Sequence, residues 1–203
     1  MSAAGGLQQL NRRDAVRELL RDRGDSLVVT GLGSSTYDAF AAGDHDGNMY
    51  LWGAMGGAAL VGLGLALAQP RRPVIVITGD GEQLMGLGGL ATISVKRPGN
   101  FSLIVLDNGR YGETGGQLSH TGLGVDLHRA AAALGFASAV ELRQISELAG
   151  YRTELSKLTG GPRYATVRIA CDSPPRALPA RDGVYLKNRF RAGLGFHVDM
   201  TTE

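Results

Sequence analysis

The chain has 203 residues, 43% of them hydrophobic, and its 21 Lys and Arg stand against 19 Asp and Glu for a formal net charge of +2. That length can bury a sizeable core and suits one α/β domain rather than two, while near-neutral charge with no basic block interleaved with aromatics argues against a nucleic-acid surface. The single cysteine, Cys171, excludes an internal disulfide or a Cys-based zinc site.

Cys171 is expected as a small buried residue near a strand end. The first residues lack the charged start, apolar centre and small-residue cleavage site of a signal peptide, so a cytoplasmic location is the default. From Asn11 to Arg23, Val16, Leu19 and Leu20 recur at helical spacing among charges, which predicts an amphipathic helix. A strand follows at Leu27 to Thr30, running through "GLGSST" into a helix from about Ser35 to Ala42. That turn has two of the three glycines of a dinucleotide fingerprint, and no strand with a ribose-binding acid follows, so it reads as a strand-to-helix turn near a ligand.

The segment "AAGDHDGNMYLW" is expected as a loop, entering a small-residue helix of about Gly56 to Gln69. The uncharged run from Leu51 to Ala68 approaches the length of a bilayer span, but its glycines suit a helix packed closely inside an α/β domain. Pro73 opens the strand "VIVIT", ended by Gly79, and a glycine-interrupted helix is predicted from Gln83 to Val95. The strand "FSLIVLD" comes next, then a polar glycine loop, a helix capped by Asp126, a strand near Ala137 to Glu141, a helix from Ser146 to Leu158 and the strand "RYATVRIA". From Ser173 the Pro-rich, basic tail, with Arg181, Lys187, Arg189 and Arg191, is expected to wrap a neighbouring surface in extended form before a short helix. The domain proper is therefore residues 1–172 and the tail 173–203.

Uninterrupted apolar strands separated by helices imply a parallel sheet covered on both faces, with ligands at the carboxyl ends of its strands. If the strands ending at Thr78 and Asp107 are neighbours, Asp80 offers a carboxylate and Asn108 an amide oxygen to one spot. Oxygen donors of this kind suit a magnesium ion that completes its shell with phosphate oxygens, and Gly79 and Gly81 let a bulky anion approach the backbone. The N-terminal end of the following helix adds positive potential.

The run from Asp80 to Asn108 resembles the signature of thiamin diphosphate enzymes, a GDG triplet followed some two dozen residues later by an asparagine, with Asp107 where a first asparagine is usual. The resemblance implies a thiamin diphosphate-binding fold of the diphosphate-domain type over about Leu27 to Ala170. It implies Asp80, Asn108 and the carbonyl of Arg110 as Mg2+ ligands, with Gly79, Gly81, Glu82 and Tyr111 beside the cofactor. Upstream, "LWGAMGG" is similar to the segment that holds the aminopyrimidine ring: Met55 would bend the cofactor, Ala54 adjoins it and the Gly53 carbonyl would accept from the ring's amino group.

Complete enzymes of this family have a second, pyrimidine-binding domain carrying the glutamate that activates the cofactor. None fits in this length, so the resemblance implies a partner subunit, a hetero-oligomer with sites at the interface, and neither nucleic acid nor membrane as partner. The loop "DNGRYGETGGQLSHT" is similar to that of small split decarboxylases acting on phosphonopyruvate or sulfopyruvate, implying conversion of a small-molecule 2-oxoacid to an aldehyde and carbon dioxide. Within that loop Glu113 and His120 are the candidate catalytic groups, with Thr114, Gln117 and Ser119 as candidate substrate contacts. His45 belongs to a surface turn, although its loop precedes Met55, and His128 and His197 belong to the surface. The alternatives are an acetolactate synthase-like carboligase subunit, separable by its hydroxyketone product, and a non-catalytic cofactor-binding partner. A nicotinamide-dependent enzyme comes third, distinguished by which cofactor protects against heating.

Overall fold

The computed structural model describes residues 9–196. Its centre is a six-stranded sheet in the order β2-β1-β3-β4-β8-β7, with every adjacent pair parallel. The strands are β1 (Leu27–Thr30), β2 (Asn48–Tyr50), β3 (Val74–Gly79), β4 (Phe101–Asp107), β7 (Ser138–Leu142) and β8 (Arg163–Arg168). A separate antiparallel hairpin joins β5 (Arg110–Tyr111) to β6 (Gln117–Leu118).

Alternate residues of each central strand feed two cores. On one face Ile75, Ile77, Ile104 and Val167 meet α1 (Arg12–Leu20), α2 (Ser34–Ala41) and α7 (Ile145–Leu155) through Val16, Leu19, Ala39 and Leu148. Val76, Leu103 and Val105 point to the other, against α3 (Ala58–Ala68), α5 (Gly89–Lys96) and α6 (Leu127–Leu134) through Leu63, Ile93 and Ala131. This two-sided cover is why the strands read as unbroken apolar runs. The α/β fold with helices on both faces is the one the sequence predicts, and β1 has the predicted limits.

Close packing of α3 depends on Gly62, where an added Cβ would stand 2.2 Å from Val76 Cγ2 and 3.2 Å from Phe101 Cε2. Gly62→Ala is therefore expected to lower stability by about 1–2 kcal/mol, overpacking outweighing the better helix propensity of alanine. Urea unfolding checks this, and an unchanged midpoint would mean that α3 can lift off the sheet without cost. No described helix is long and apolar enough to cross a membrane.

Several expectations are corrected. The segment expected as a loop contains β2, whose three residues give too short a pattern to read. The helix expected from Gln83 to Val95 is two helices, α4 (Asp80–Met85) and α5, broken at Gly86 to Gly88, and the first begins at the aspartate itself. Cys171 is exposed. The tail has the expected extended run before a helix, but the surface it covers is this domain's own: α8 (Gly183–Gly193) is capped by Asp182, packs on β2 and puts Leu186 and Phe190 into the two cores. Arg189 is tied to Asp44 at 2.7 Å, and Arg181 lies over the Trp52 ring at 5.5 Å.

Candidate active site

The chain leaves β1 for β2 on one side and returns to β3 on the other, so a crevice opens where the carboxyl ends of β1 and β3 diverge. There, and over the neighbouring end of β4, lies a cleft of ≈ 500 Å³. Its lining brings together ten candidate site residues named from the sequence: Met55, Gly79, Asp80, Gly81, Glu82, Asn108, Arg110, Tyr111, Glu113 and Thr114. Leu32, Ser34 and Ser35 of the glycine turn join them, as expected of a turn near a ligand.

Register aligns Gly79 with Leu106, so the residues that follow β3 and β4 emerge side by side. Asp80 is 2% exposed and its Oδ2 accepts from the hydroxyls of Ser119, at 2.5 Å, and Thr121, at 2.9 Å. Thr121 Oγ1 also lies 2.8 Å from Asp107 Oδ1 and 2.8 Å from Ser119 Oγ. A single threonine proton cannot serve both acids. Asp107 has a cation, Arg168, at 2.6 Å, but among the described residues Asp80 has no ion-pair partner. Burial and the charge of Asp107 push the Asp80 carboxyl above its usual range, against the pull of the two hydroxyls.

A buried carboxylate short of positive charge, flanked by an amide oxygen, is the donor chemistry of a hard cation and fits Mg2+. No group of three His, Cys, Asp or Glu that could hold a metal ion occurs among the described residues. The asparagine is held in place by its own turn: Asn108 Oδ1 accepts from Arg110 N at 2.9 Å, and Asp107 Oδ1 from Gly109 N at 2.9 Å. Gly109 supplies the positive φ of 68° that the turn needs.

Gly81 is required by a close approach within the protein. A Cβ there would stand 2.6 Å from carbons of the Tyr111 ring, so the glycine lets that ring close on it, and both line the cleft. Glu82 is also buried, and neither of its oxygens closes a hydrogen bond within the protein. Burial pushes its carboxyl up, opposed by the Thr78 hydroxyl and by the N–H groups of Ala58, Gly56 and Leu32 that face it. The Met55 segment is seated on α4 by two glycines in backbone contact, since a Cβ on Gly86 would meet the Gly56 carbonyl oxygen at 2.2 Å. Met55 itself is 44% exposed at the cleft.

Other predicted residues fall elsewhere. Gly53 and Ala54 precede Met55 but are not part of the cleft lining, and Ala54 holds a φ of 56°. His120 is exposed and points outside the cleft lining, while its neighbours Ser119 and Thr121 turn inward to Asp80. Ser119 is thus a buried partner of Asp80 and is not part of the cleft lining. Gln117 bonds Thr114 across the hairpin tip instead of facing the cleft. His45 lies in a different hollow, beside Asp44 and Asp46. His128 is partly buried beside Asp126 at 2.6 Å, and His197 lies outside the described residues.

Sequence reasoning missed one whole wall, formed by Cys171 to Pro174 and Arg176. It also missed Arg12, whose Nε lies 3.0 Å from Asp38 Oδ2 and whose Nη1 donates to Ser34 Oγ at 2.5 Å. Neither has a spacing signal, because both reach the cleft from elements distant in sequence.

A parallel sheet with an acid-amide pair beside Gly79 and Gly81 at its carboxyl edge defines a diphosphate-binding enzyme domain. The family described as "Thiamine pyrophosphate enzyme, C-terminal TPP binding domain" matches residues 33–159, and the chain belongs to it. The chain is 40% identical to the phosphonopyruvate decarboxylase of Streptomyces viridochromogenes over 83% of its own length and 42% of the relative's. With the sulfopyruvate decarboxylase subunit beta of Methanothermobacter thermautotrophicus it shares 39% identity, over 63% of this chain and 68% of that one. The fold is similar to that of a thiamine diphosphate-dependent 4-hydroxybenzoylformate decarboxylase of Rhodococcus jostii, with a TM-score of 0.66 over 86% of this chain and 35% of that one, at 22% identity. The chain thus spans less than half of the phosphonopyruvate decarboxylase it matches.

Proposed function

We propose that the chain is one subunit of a heteromeric thiamin diphosphate- and Mg2+-dependent decarboxylase that converts a 2-oxoacid of the phosphonopyruvate or sulfopyruvate type to an aldehyde and carbon dioxide. The observation that carries this reading is Asp80, a buried carboxylate without a cationic partner among the described residues, which lines the cleft with Asn108. Asp80, Asn108 and the Arg110 carbonyl would hold Mg2+, and Gly79 and Gly81 would admit the diphosphate, with Glu82 and Tyr111 behind it. Met55, with Gly53 and Ala54, would bound the aminopyrimidine side. When bound, thiamin diphosphate supplies a carbon nucleophile and an electron sink.

Glu113, in the loop after the metal site, would exchange a proton with the substrate; no such role is proposed for His120. The partner is a pyrimidine-domain subunit that brings the activating glutamate. A relative named subunit beta and another more than twice as long as the matched segment support that division. The test is calorimetric titration with thiamin diphosphate and Mg2+, for the chain alone and with the partner, followed by assay of carbon dioxide release from phosphonopyruvate and sulfopyruvate. Magnesium-dependent binding with turnover by the mixture is the expected result. No cofactor binding in either preparation would end the proposal.

A further inference from the structure

A cleft that accepts a diphosphate and a 2-oxoacid needs positive charge, and the cations of its lining are held in different ways. Arg12, Arg110 and Arg176 are the cationic side chains of its lining among the described residues. Arg12 is buried against Asp38, and Arg110 Nη1 donates to the Gly116 carbonyl at 2.8 Å, which fixes that side chain along the hairpin at the edge of the cleft. Arg176 differs. It pairs at 3.2 Å with Glu113, itself a cleft residue, and both side chains are well exposed, at 63% and 42%. An exposed ion pair contributes little to stability, so an incoming anion can replace its carboxylate at small cost.

The backbone around Arg176 is nonetheless fixed. Arg13 Nη2 donates to the Pro175 carbonyl at 2.6 Å, Trp52 Nε1 donates to that of Ala180 at 2.8 Å, and the guanidinium lies 5.7 Å from the centre of the Tyr37 ring. The tail therefore straps one arginine over the cleft with only a loop carboxylate in front of it. Glu113 in turn rests on the glycine turn: it stands 3.5 Å from Ser34 Oγ, to which Arg12 also donates.

We propose that Arg176 is the receptor for the tetrahedral oxyanion, a phosphonate or sulfonate, at the far end of the substrate, and that the Glu113 carboxylate marks the position of that group. This rests on the decarboxylase reading above and assigns its substrate selectivity in part to this chain. The planar guanidinium suits such a group through paired N–H donors.

The test uses the chain with its partner, thiamin diphosphate and Mg2+, and 3-phosphonopropionate as an unreactive probe measured by calorimetry. Arg176→Gln is expected to weaken probe binding by about 10-fold to 100-fold, the loss of a charge-assisted hydrogen bond, and to leave the Kd of thiamin diphosphate unchanged. Arg176→Lys recovers part of the loss, and Glu113→Gln tightens the probe by removing its internal competitor. The ratio of kcat/KM for phosphonopyruvate over pyruvate falls in parallel. Equal probe binding in wild type and Arg176→Gln overturns the inference, as does a weakened cofactor Kd, which would make Arg176 a contact of the cofactor's own phosphate. Probe binding that depends on Arg176 without any turnover would sink the decarboxylase reading alone; turnover with a ratio indifferent to Arg176 would sink the receptor alone.

Discussion

Asp80→Asn is expected to lower the magnesium-dependent affinity for thiamin diphosphate by at least about 100-fold, since loss of even an outer partner of a metal ligand costs 10-fold to 100-fold. The same substitution should not lower the stability of the metal-free chain. Asp80 is buried beside a second acid, with two hydroxyls for support and no cation of its own. Burying charge without a counterion is unfavourable, and an amide oxygen can accept from Ser119 and Thr121 as the carboxylate does. Replacement should therefore leave the apo chain as stable as before or more so, while abolishing what the charge is there to bind. Calorimetry and urea unfolding on the same preparations separate the two effects. A variant that loses stability and cofactor binding together would indicate that Asp80 is a structural cap and that metal binding lies elsewhere.

Legibility of the sequence followed the physics of each segment. The strands β1, β3 and β4 are buried runs rich in Val, Ile and Leu, and β8 is almost fully buried with a mixed sequence, so their limits are marked by the glycines and prolines around them. β2 is short and polar, and it exists because β1 offers it an edge to pair with. Asp80 and Asn108 were readable because each directly follows a strand whose direction is fixed. Inside the loop of residues 108–121 residue type was visible but direction was not. His120 was chosen for its chemistry, whereas the positive φ of Gly115, Gly116 and Gly124 and the hairpin turn Ser119 and Thr121 inward instead. The wall from Cys171 to Arg176 was unreadable because Pro-rich segments carry no periodicity, and only contacts with Arg13, Tyr37 and Trp52 decide where it runs.

The replacement of a first asparagine by Asp107 has a structural counterpart in Arg168, and this sets the largest expected loss of stability. Asp107 is 1% exposed at its side chain, and Arg168 reaches it at 2.6 Å while holding Glu141 at 2.7 Å. Burial pushes the Glu141 carboxyl up, but Arg168 and Arg143 outweigh it and hold the group below its usual range. Removing the cation from such a pair leaves a buried charge uncompensated, so Arg168→Met should cost about 3–5 kcal/mol in urea unfolding. Asp107→Asn alone should cost less, about 1–3 kcal/mol: the amide oxygen can keep the bonds from Gly109 N and Thr121 Oγ1 and Arg168 keeps Glu141, but the amide NH2 then faces Arg168 Nη1 donor to donor. In the double variant most of the loss should be recovered, a coupling of about 2 kcal/mol or more between residues in direct contact. If Arg168→Met costs the same in both backgrounds, the arginine serves β7 through Glu141 and not the turn that presents Asn108. Recovery would instead mean that Asp107 and Arg168 form one unit, in which a second acid beside Asp80 is tolerated only because β8 supplies its counterion.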